Sequence, residues 1–154
     1  MEAVWDRGIL ELTDRITSFT SFNEEQIRLL AEGLQPCSRI LDLCTGYGNL
    51  AKVLVEQGKS VYGLDISKDS LLYAKQKAGR LNVIKGDVKR LPFCEGFDGV
   101  SCASSLGFKE KNIIVEGIRR ALIPGGFVAV TGIEGTKKEQ GMKIMGSEVL
   151  KAYK

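Results

Sequence analysis

Three aspartates lie within or just after short apolar runs, where a parallel sheet would bring them together at one edge. Asp42 interrupts the run 40–43, Asp65 ends the run 61–65, and Asp87 follows the run 81–85. A carboxylate inside an apolar strand costs several kcal/mol unless its charge is compensated. We therefore expect Asp42 to meet a cationic group of a ligand, and hydrogen bonds from nearby backbone N–H groups are the alternative.

A glycine-containing turn follows the first of these acids. Thr45, Gly46 and Gly48 lie between the apolar run and a helical stretch, so backbone N–H groups at the start of that helix would face a nucleotide-type ligand. Glycine has no Cβ, which permits positive φ and close approach of a ligand to the backbone. A tight strand-to-helix turn that needs glycine only for its geometry is the alternative.

The second and third acids are placed to bind the rest of such a ligand. Asp65 has the spacing from the glycine turn of an acid that accepts hydrogen bonds from both ribose hydroxyls. Asp87 could accept a hydrogen bond from an adenine amino group while Ile66 and Val88 flank the ring. An ordinary turn aspartate is the alternative for Asp87.

Helical and strand periodicities alternate along the chain and would position these residues. Apolar residues at helical spacing before residue 36 predict two N-terminal helices. The predicted strands are 39–43, 60–64, 81–85, 97–103 and 126–131, with helices at 49–57, 68–78 and 111–122. This alternation is typical of a parallel sheet with right-handed crossovers. We predict one α/β domain over 1–154, with N-terminal helices over 1–35, a core over 36–133 and a basic tail or helix over 134–154.

The composition narrows the classes of function. The chain has 154 residues, of which 44% are hydrophobic and 27% charged, as in globular proteins. Four cysteines without C-x-x-C spacing and no histidine predict no metal site. Residues 137–154 hold five lysines and two glutamates and so supply the whole net charge of +3, which we interpret as a solvated tail and not a nucleic-acid site. No apolar run approaches the ~20 residues that cross a bilayer, and we expect a cytoplasmic protein.

Several segments, in order, carry a specific likeness to a known family. They are 40–48 (ILDLCTGYG), 63–67 (GLDIS), 86–87 (GD) with 91–93 (LPF), 97–100 (FDGV) and 122–127 (LIPGGF). Over about residues 36–133 the chain resembles the class I S-adenosylmethionine-dependent methyltransferases, especially the small-molecule branch with the ubiquinone and menaquinone C-methyltransferases. The resemblance implies a Rossmann-like parallel sheet of strand order 3-2-1-4-5 flanked by helices. It also implies methyl transfer from S-adenosylmethionine to a small-molecule acceptor, with S-adenosylhomocysteine as product.

The resemblance implies a set of cofactor-binding residues and singles out no catalytic residue. Asp42 would lie near the amino group of the cofactor, Asp65 near its ribose and Asp87 near its adenine. The full expected set is Asp42, Thr45, Gly46, Gly48, Asp65, Ile66, Asp87, Val88 and Ala103. Candidates for an acceptor pocket are Trp5, Tyr47, Ser104, Ser105 and Phe108, with helix-to-core packing as the alternative for Trp5.

Two features depart from the family pattern. Cys44 stands where the family's turn has its first glycine, so a side chain is added near the methionine part of the cofactor. The residues after Gly135 are too few for the family's C-terminal helix and antiparallel hairpin, so we expect the sheet to stop at five strands. The edge of the fifth strand would then be covered by the tail, paired in a homodimer, or exposed.

Two other functions stay open at the level of the sequence. Residues 46–51 also fit the G-x-G-x-x-G/A pattern of nicotinamide dinucleotide enzymes, although that fold does not account for Asp42 or Asp87. A non-catalytic protein that binds S-adenosylmethionine or S-adenosylhomocysteine, or a partner subunit, is the second alternative. Titration with each cofactor distinguishes the first alternative, and an assay for product release distinguishes the second.

Overall fold

Helices and strands alternate along the described part of the chain. The structure, a computed structural model, describes residues 21–103 and 111–130 together with Leu12. The helices are α1 (Ser21–Gly33), α2 (Asn49–Glu56), α3 (Lys68–Ala78) and α4 (Lys111–Ala121), with a 3-10 turn at Val88–Arg90. The strands are β1 (Arg39–Leu43), β2 (Ser60–Asp65), β3 (Asn82–Lys85), β4 (Phe97–Cys102) and β5 (Leu122–Val130).

The strands form one parallel sheet in the order β3-β2-β1-β4-β5, which confirms the predicted order. β1 pairs with β2 on one side and with β4 on the other, so the strand order reverses direction at β1. In open α/β sheets, ligands bind outside the carboxyl ends of the strands at such a switch point. Asp42 lies one residue before the end of β1, opposite Gly63 on β2 and Ser101 on β4.

Helices cover both faces of the sheet because its central strands are apolar on both sides. Along β1, Ile40 packs with residues of α1, α2 and α3, whereas Leu41 and Leu43 pack with residues of α4 on the opposite face. Side chains alternate between faces along a strand, so Asp42 points to the same face as Ile40. Full burial of each such leucine or isoleucine contributes roughly 1.5–3 kcal/mol, and these two clusters hold the acid-bearing strand ends in place.

The predicted and observed elements differ mainly at the start of β5. The apolar pattern predicts a strand over 126–131, but β5 begins at Leu122, because Leu122 pairs with Phe97 before a register shift places Phe127 opposite Gly99. The predicted helices over 49–57, 68–78 and 111–122 and the other four strands agree with the structure to within one residue at each end. Three predictions lie outside the described residues: the first N-terminal helix, except for Leu12, the end of the sheet after β5, and the tail 134–154.

Candidate functional site

The turn between β1 and α2 contains three residues with left-handed backbone. Cys44, Gly46 and Gly48 have φ values of 53°, 50° and 73°, so both glycines adopt the positive φ that a residue without a Cβ permits. This conformation costs roughly 1 kcal/mol or more for a residue with a Cβ, so Cys44 is strained. A Cβ added at Gly48 would lie 2.7 Å from the Ala74 Cβ, whereas one added at Gly46 would meet nothing closer than the Cys44 carbonyl oxygen at 3.8 Å. Gly48 therefore allows α3 to pack against the turn, and Gly46 borders open space.

Backbone hydrogen bonds tie this turn to β2. The Thr45 N–H donates to the Leu64 carbonyl at 3.1 Å, and the Gly48 N–H donates to the Thr45 carbonyl at 2.8 Å. Gly48 is the N-cap of α2, and no side chain caps this helix. The first N–H groups of a helix have no partner within the helix and carry partial positive charge. The start of α2 can therefore donate to an acceptor atom of a ligand, as the sequence predicts.

Asp42 is 2% exposed, and two hydroxyl groups hold its carboxylate. Ser101 Oγ donates to Oδ1 at 2.6 Å, and Thr45 Oγ1 donates to Oδ2 at 2.5 Å. These two hydroxyl donors were not expected from the sequence, which predicted a cationic ligand group with backbone N–H groups as the alternative. Burial raises the pKa of Asp42 to about 6, while the bonds from Ser101 and Thr45 lower it and the negative charge of Asp65 raises it. The carboxylate is mostly ionised at neutral pH, and each oxygen keeps a lone pair for a further donor.

Asp65 lies at the end of β2, half-buried between the glycine turn and α3. Its Oδ2 accepts from the Gly46 N–H at 3.0 Å, and its Oδ1 accepts from the Ser67 N–H at 2.9 Å. Ser67 is itself the N-cap of α3, where its Oγ accepts from the Ser70 N–H. Asp65 is thus not the helix cap. Two backbone donors fix the plane of its carboxylate and leave one lone pair on each oxygen for the paired hydroxyls of a sugar.

The third acid has a local hydrogen bond as well. Asp87 Oδ1 accepts from the Lys89 N–H at 2.9 Å and caps the 3-10 turn, which is the turn-aspartate role for that oxygen. The preceding Gly86 N–H donates to the Asp65 carbonyl at 3.0 Å, so the ends of β2 and β3 adjoin. Ile66 is 59% exposed and presents an apolar surface there, whereas Val88 is 7% exposed and packs into the cluster beneath α4.

The structure brings the three acids to neighbouring strand ends, in the order β1, β2 and β3. Ala103 follows β4 directly and is partly buried against the cluster of α1 and α2. Tyr47 packs edge-on against Tyr73 of α3, with ring centroids 6.3 Å apart. The other acceptor-pocket candidates, Trp5, Ser104, Ser105 and Phe108, lie outside the described residues.

Ser101 is the site residue that the sequence analysis missed. It is fully buried in β4, and its hydroxyl bonds to Asp42 across the strand pair. The sequence did contain a signal for this residue: Ser101 is a polar residue in a predicted strand, between Val100 and Cys102, just as Asp42 is a polar residue among apolar ones. Recognising the pair requires the register of β1 against β4, which a single sequence does not specify.

The described residues contain little that would suggest other site chemistry. Within residues 21–103 and 111–130, no group of three or more metal-binding side chains occurs. None of the four cysteines, all of which lie within the described residues, forms a disulfide. Within the same residues, no helix has the length and apolar character to cross a membrane.

Comparisons with known proteins give a consistent result. The methyltransferase domain family matches residues 40–126. An uncharacterized methyltransferase of Synechocystis is 31% identical over 132 residues, covering 81% of this chain and 62% of that protein. The demethylmenaquinone methyltransferase of Beutenbergia cavernae is 34% identical over 104 residues, covering 65% of this chain and 42% of that protein. The chain therefore spans roughly half the length of these relatives.

A solved structure supports the fold independently. The N-methyltransferase NodS of Bradyrhizobium japonicum, in complex with S-adenosyl-L-homocysteine, superimposes with a TM-score of 0.70. The alignment covers 89% of this chain and 75% of that one at 20% sequence identity. At this identity the likeness concerns the Rossmann-like fold.

Proposed function

We propose, because this chain belongs to the methyltransferase domain family, that it binds S-adenosylmethionine and transfers the methyl group to a small-molecule acceptor. The observation that carries the proposal is the Asp65 carboxylate, which two backbone N–H groups hold beside a left-handed turn. An acid at this position of a parallel sheet is suited to accept hydrogen bonds from both hydroxyls of a ribose.

The side chains around the turn fit the parts of S-adenosylmethionine by their chemistry. Asp42 offers negative charge to the α-ammonium group, directly or through water. Exposed Ile66 offers an apolar surface to the adenine, and Asp87 offers an acceptor to its amino group. The missing Cβ of Gly46 leaves the space beside the turn open.

The remaining residues of the proposed site act mainly by shaping it. Gly48 lets α3 pack against the turn, and Thr45 acts through its bond to Asp42. Val88 supports the adenine side from the core, and Ala103 continues the site beyond β4.

Orientation is the main contribution of this chain to methyl transfer. Bound S-adenosylmethionine supplies a methyl group on a positively charged sulfur, which is an electrophile. Holding an acceptor atom within about 3–3.5 Å of such a group replaces a bimolecular encounter by an oriented one. The chain has no histidine, so a proton released by the acceptor would pass to a carboxylate, tyrosine, lysine or water.

Calorimetry on the purified chain tests the binding step. We expect heat with S-adenosylmethionine and S-adenosylhomocysteine and none with a nicotinamide dinucleotide. Asp65→Ala should weaken binding by about 1–3 kcal/mol, the cost of losing hydrogen bonds to a charged group. Asp69→Ala, which removes an exposed acid from the first turn of α3, should leave the affinity unchanged. Equal affinity of the Asp65 variant and the unmodified chain would remove Asp65 from the ribose role.

Turnover needs an acceptor, and the relatives suggest where to start. Relatives named as demethylmenaquinone and 2-phytyl-1,4-naphtoquinone methyltransferases make demethylmenaquinone and related naphthoquinones the first acceptors to assay, with release of S-adenosylhomocysteine as the readout. Tight cofactor binding without product from any acceptor in a broad panel would favour a non-catalytic cofactor-binding protein or partner subunit.

Location and assembly are further parts of the proposal. Four cysteines without a disulfide suit the reducing conditions of the cytoplasm, and cell fractionation would test this placement. β5 is the last strand at one side of the sheet among the described residues. An unpaired strand edge can pair with a second copy of the chain, and sedimentation over a range of concentrations would show whether a homodimer forms.

A further inference from the structure

A row of side chains crosses the centre of the sheet beneath the glycine turn. Gly63, Asp42 and Ser101 are register partners on β2, β1 and β4. Side chains at paired positions of parallel strands point to the same face. Ser101 is fully buried and donates to Asp42 Oδ1 at 2.6 Å, while Thr45 donates to Oδ2 at 2.5 Å. Donors from two different elements therefore hold the two carboxylate oxygens.

The third member of the row makes room for this arrangement. A Cβ added at Gly63 would lie 3.0–3.2 Å from the side-chain atoms of Thr45. Thr45 can reach Asp42 because the neighbouring strand has no side chain at that point. Ser101 on β4 and Thr45 in the turn therefore both bond to the buried carboxylate on β1, and Gly63 on β2 leaves the space that Thr45 needs.

The hydroxyl bonds also favour the charged form of the acid. Desolvation favours a protonated carboxyl group, whereas hydrogen bonds donated to a carboxylate favour ionisation. For Asp42, burial raises the pKa to about 6, and the bond from Ser101 is the largest of the causes that lower it. Of the elements packed beside Asp42, β4 presents Ser101, β2 presents Gly63, and Asp65 contributes a second negative charge.

We propose that Ser101 is a positioning residue for the cofactor, whose hydroxyl keeps Asp42 ionised and oriented toward the α-ammonium group without touching the cofactor itself. The inference rests on the proposed function. It separates the role of Ser101 from that of Asp65, which serves the ribose. Ser101 should matter only for ligands that carry the amino-acid part of the cofactor.

Two probes test this distinction. S-adenosylhomocysteine carries the α-ammonium group, whereas 5′-methylthioadenosine has the same adenosine thioether without the amino-acid part. At pH 7, Ser101→Ala should lower the affinity for S-adenosylhomocysteine about tenfold and change the affinity for 5′-methylthioadenosine by less than about twofold. The variant loses one hydrogen bond to the charged group that faces the amino-acid end of the ligand, and only S-adenosylhomocysteine has that end. Ser101→Thr retains the hydroxyl and should restore the ratio of the two affinities.

The pH profile is a readout that a purely structural role would not move. In the unmodified chain, the preference for S-adenosylhomocysteine over 5′-methylthioadenosine should fall as the pH drops through about 6, where Asp42 becomes protonated. Ser101→Ala removes a bond that lowers the pKa, so the fall should begin at higher pH. Both probes carry the ribose that we assign to Asp65, so any effect of Asp65 on binding is common to the two and cancels in the ratio.

Val100→Ala is the matched control. Val100 precedes Ser101 on β4, is equally buried, and points to the opposite face toward α4. This variant should lower the melting temperature and leave the affinity ratio unchanged. Ser101→Cys fills the same space with a weaker donor, should shift the ratio in the same direction as alanine, and serves if the alanine variant does not fold.

The possible outcomes separate the two proposals. If Ser101→Ala and Ser101→Cys weaken the binding of both probes equally, or weaken neither, the positioning role is overturned. A ratio that is independent of pH in the unmodified chain overturns it as well. Failure of the unmodified chain to bind either probe overturns the proposed function.

Discussion

Replacing Asp42 by asparagine should stabilise the protein at neutral pH while weakening its cofactor binding. Asparagine has nearly the same shape, and the hydroxyls of Ser101 and Thr45 can rotate to donate or accept. The variant therefore removes a buried charge and retains the hydrogen bonds. Functional sites commonly contain such groups, which lower stability in exchange for binding.

The magnitude follows from the pKa of the buried acid. Burial raises the pKa of Asp42 from 3.8 to about 6. Because the folded state binds the proton more tightly than the unfolded state, the Asp42 contribution to the free energy of unfolding is largest at low pH. It is lost as the pH rises from about 4 through about 6. Between pH 4 and pH 7 this loss amounts to about 2–3 kcal/mol, and the asparagine variant does not undergo it.

Urea unfolding of both proteins at several values between pH 4 and pH 8 measures this effect. The measured quantity is the difference between the free energies of unfolding of Asp42→Asn and of the unmodified chain. This difference should increase in favour of the variant by about 2–3 kcal/mol from pH 4 to pH 7 and then stay constant. Asp69→Asn removes one exposed acid from α3 and controls for the change in net charge. A difference that stays constant with pH, or that shrinks as the pH rises, would refute the assignment of a buried, charged Asp42.

Two further substitutions test the frame around the site. Gly48→Ala should lower the free energy of unfolding by about 2–4 kcal/mol, because it combines a left-handed φ with a Cβ 2.7 Å from the Ala74 Cβ. Gly58 has a similar φ but open surroundings, so Gly58→Ala should lower the free energy of unfolding by only about 1 kcal/mol. Equal losses in chemical unfolding would contradict the proposed crowding. Lys59→Met should lower the free energy of unfolding by about 1–3 kcal/mol, since the Lys59 Nζ donates to three backbone carbonyls after α1. Lys75→Met on the exposed side of α3 is its control, and similar small losses in the two variants would show that these bonds contribute little.

Much of the frame could be predicted from the sequence because it depends on local patterns. Apolar periodicity placed the three helices after β1 and four of the five strands to within one residue at each end. The predicted start of β5 was wrong because β5 begins with the pairing of Leu122 with Phe97, a contact between parts of the chain that local patterns do not relate. The glycine turn, the acid that ends β2 and the acid that follows β3 could be located because turn chemistry and strand ends leave local signals.

The sequence by itself determined that three acids stand at strand ends and that a glycine turn leads into α2. Only the tertiary structure decided what each acid contacts. Asp42 meets Ser101 because the register of β1 against β4 places them side by side, and Thr45 reaches Asp42 because Gly63 leaves space. Asp65 accepts a hydrogen bond from the Gly46 N–H because the turn folds back onto β2. Periodicity specifies the face on which a side chain lies, whereas its neighbours on that face depend on pairings between segments far apart in the chain.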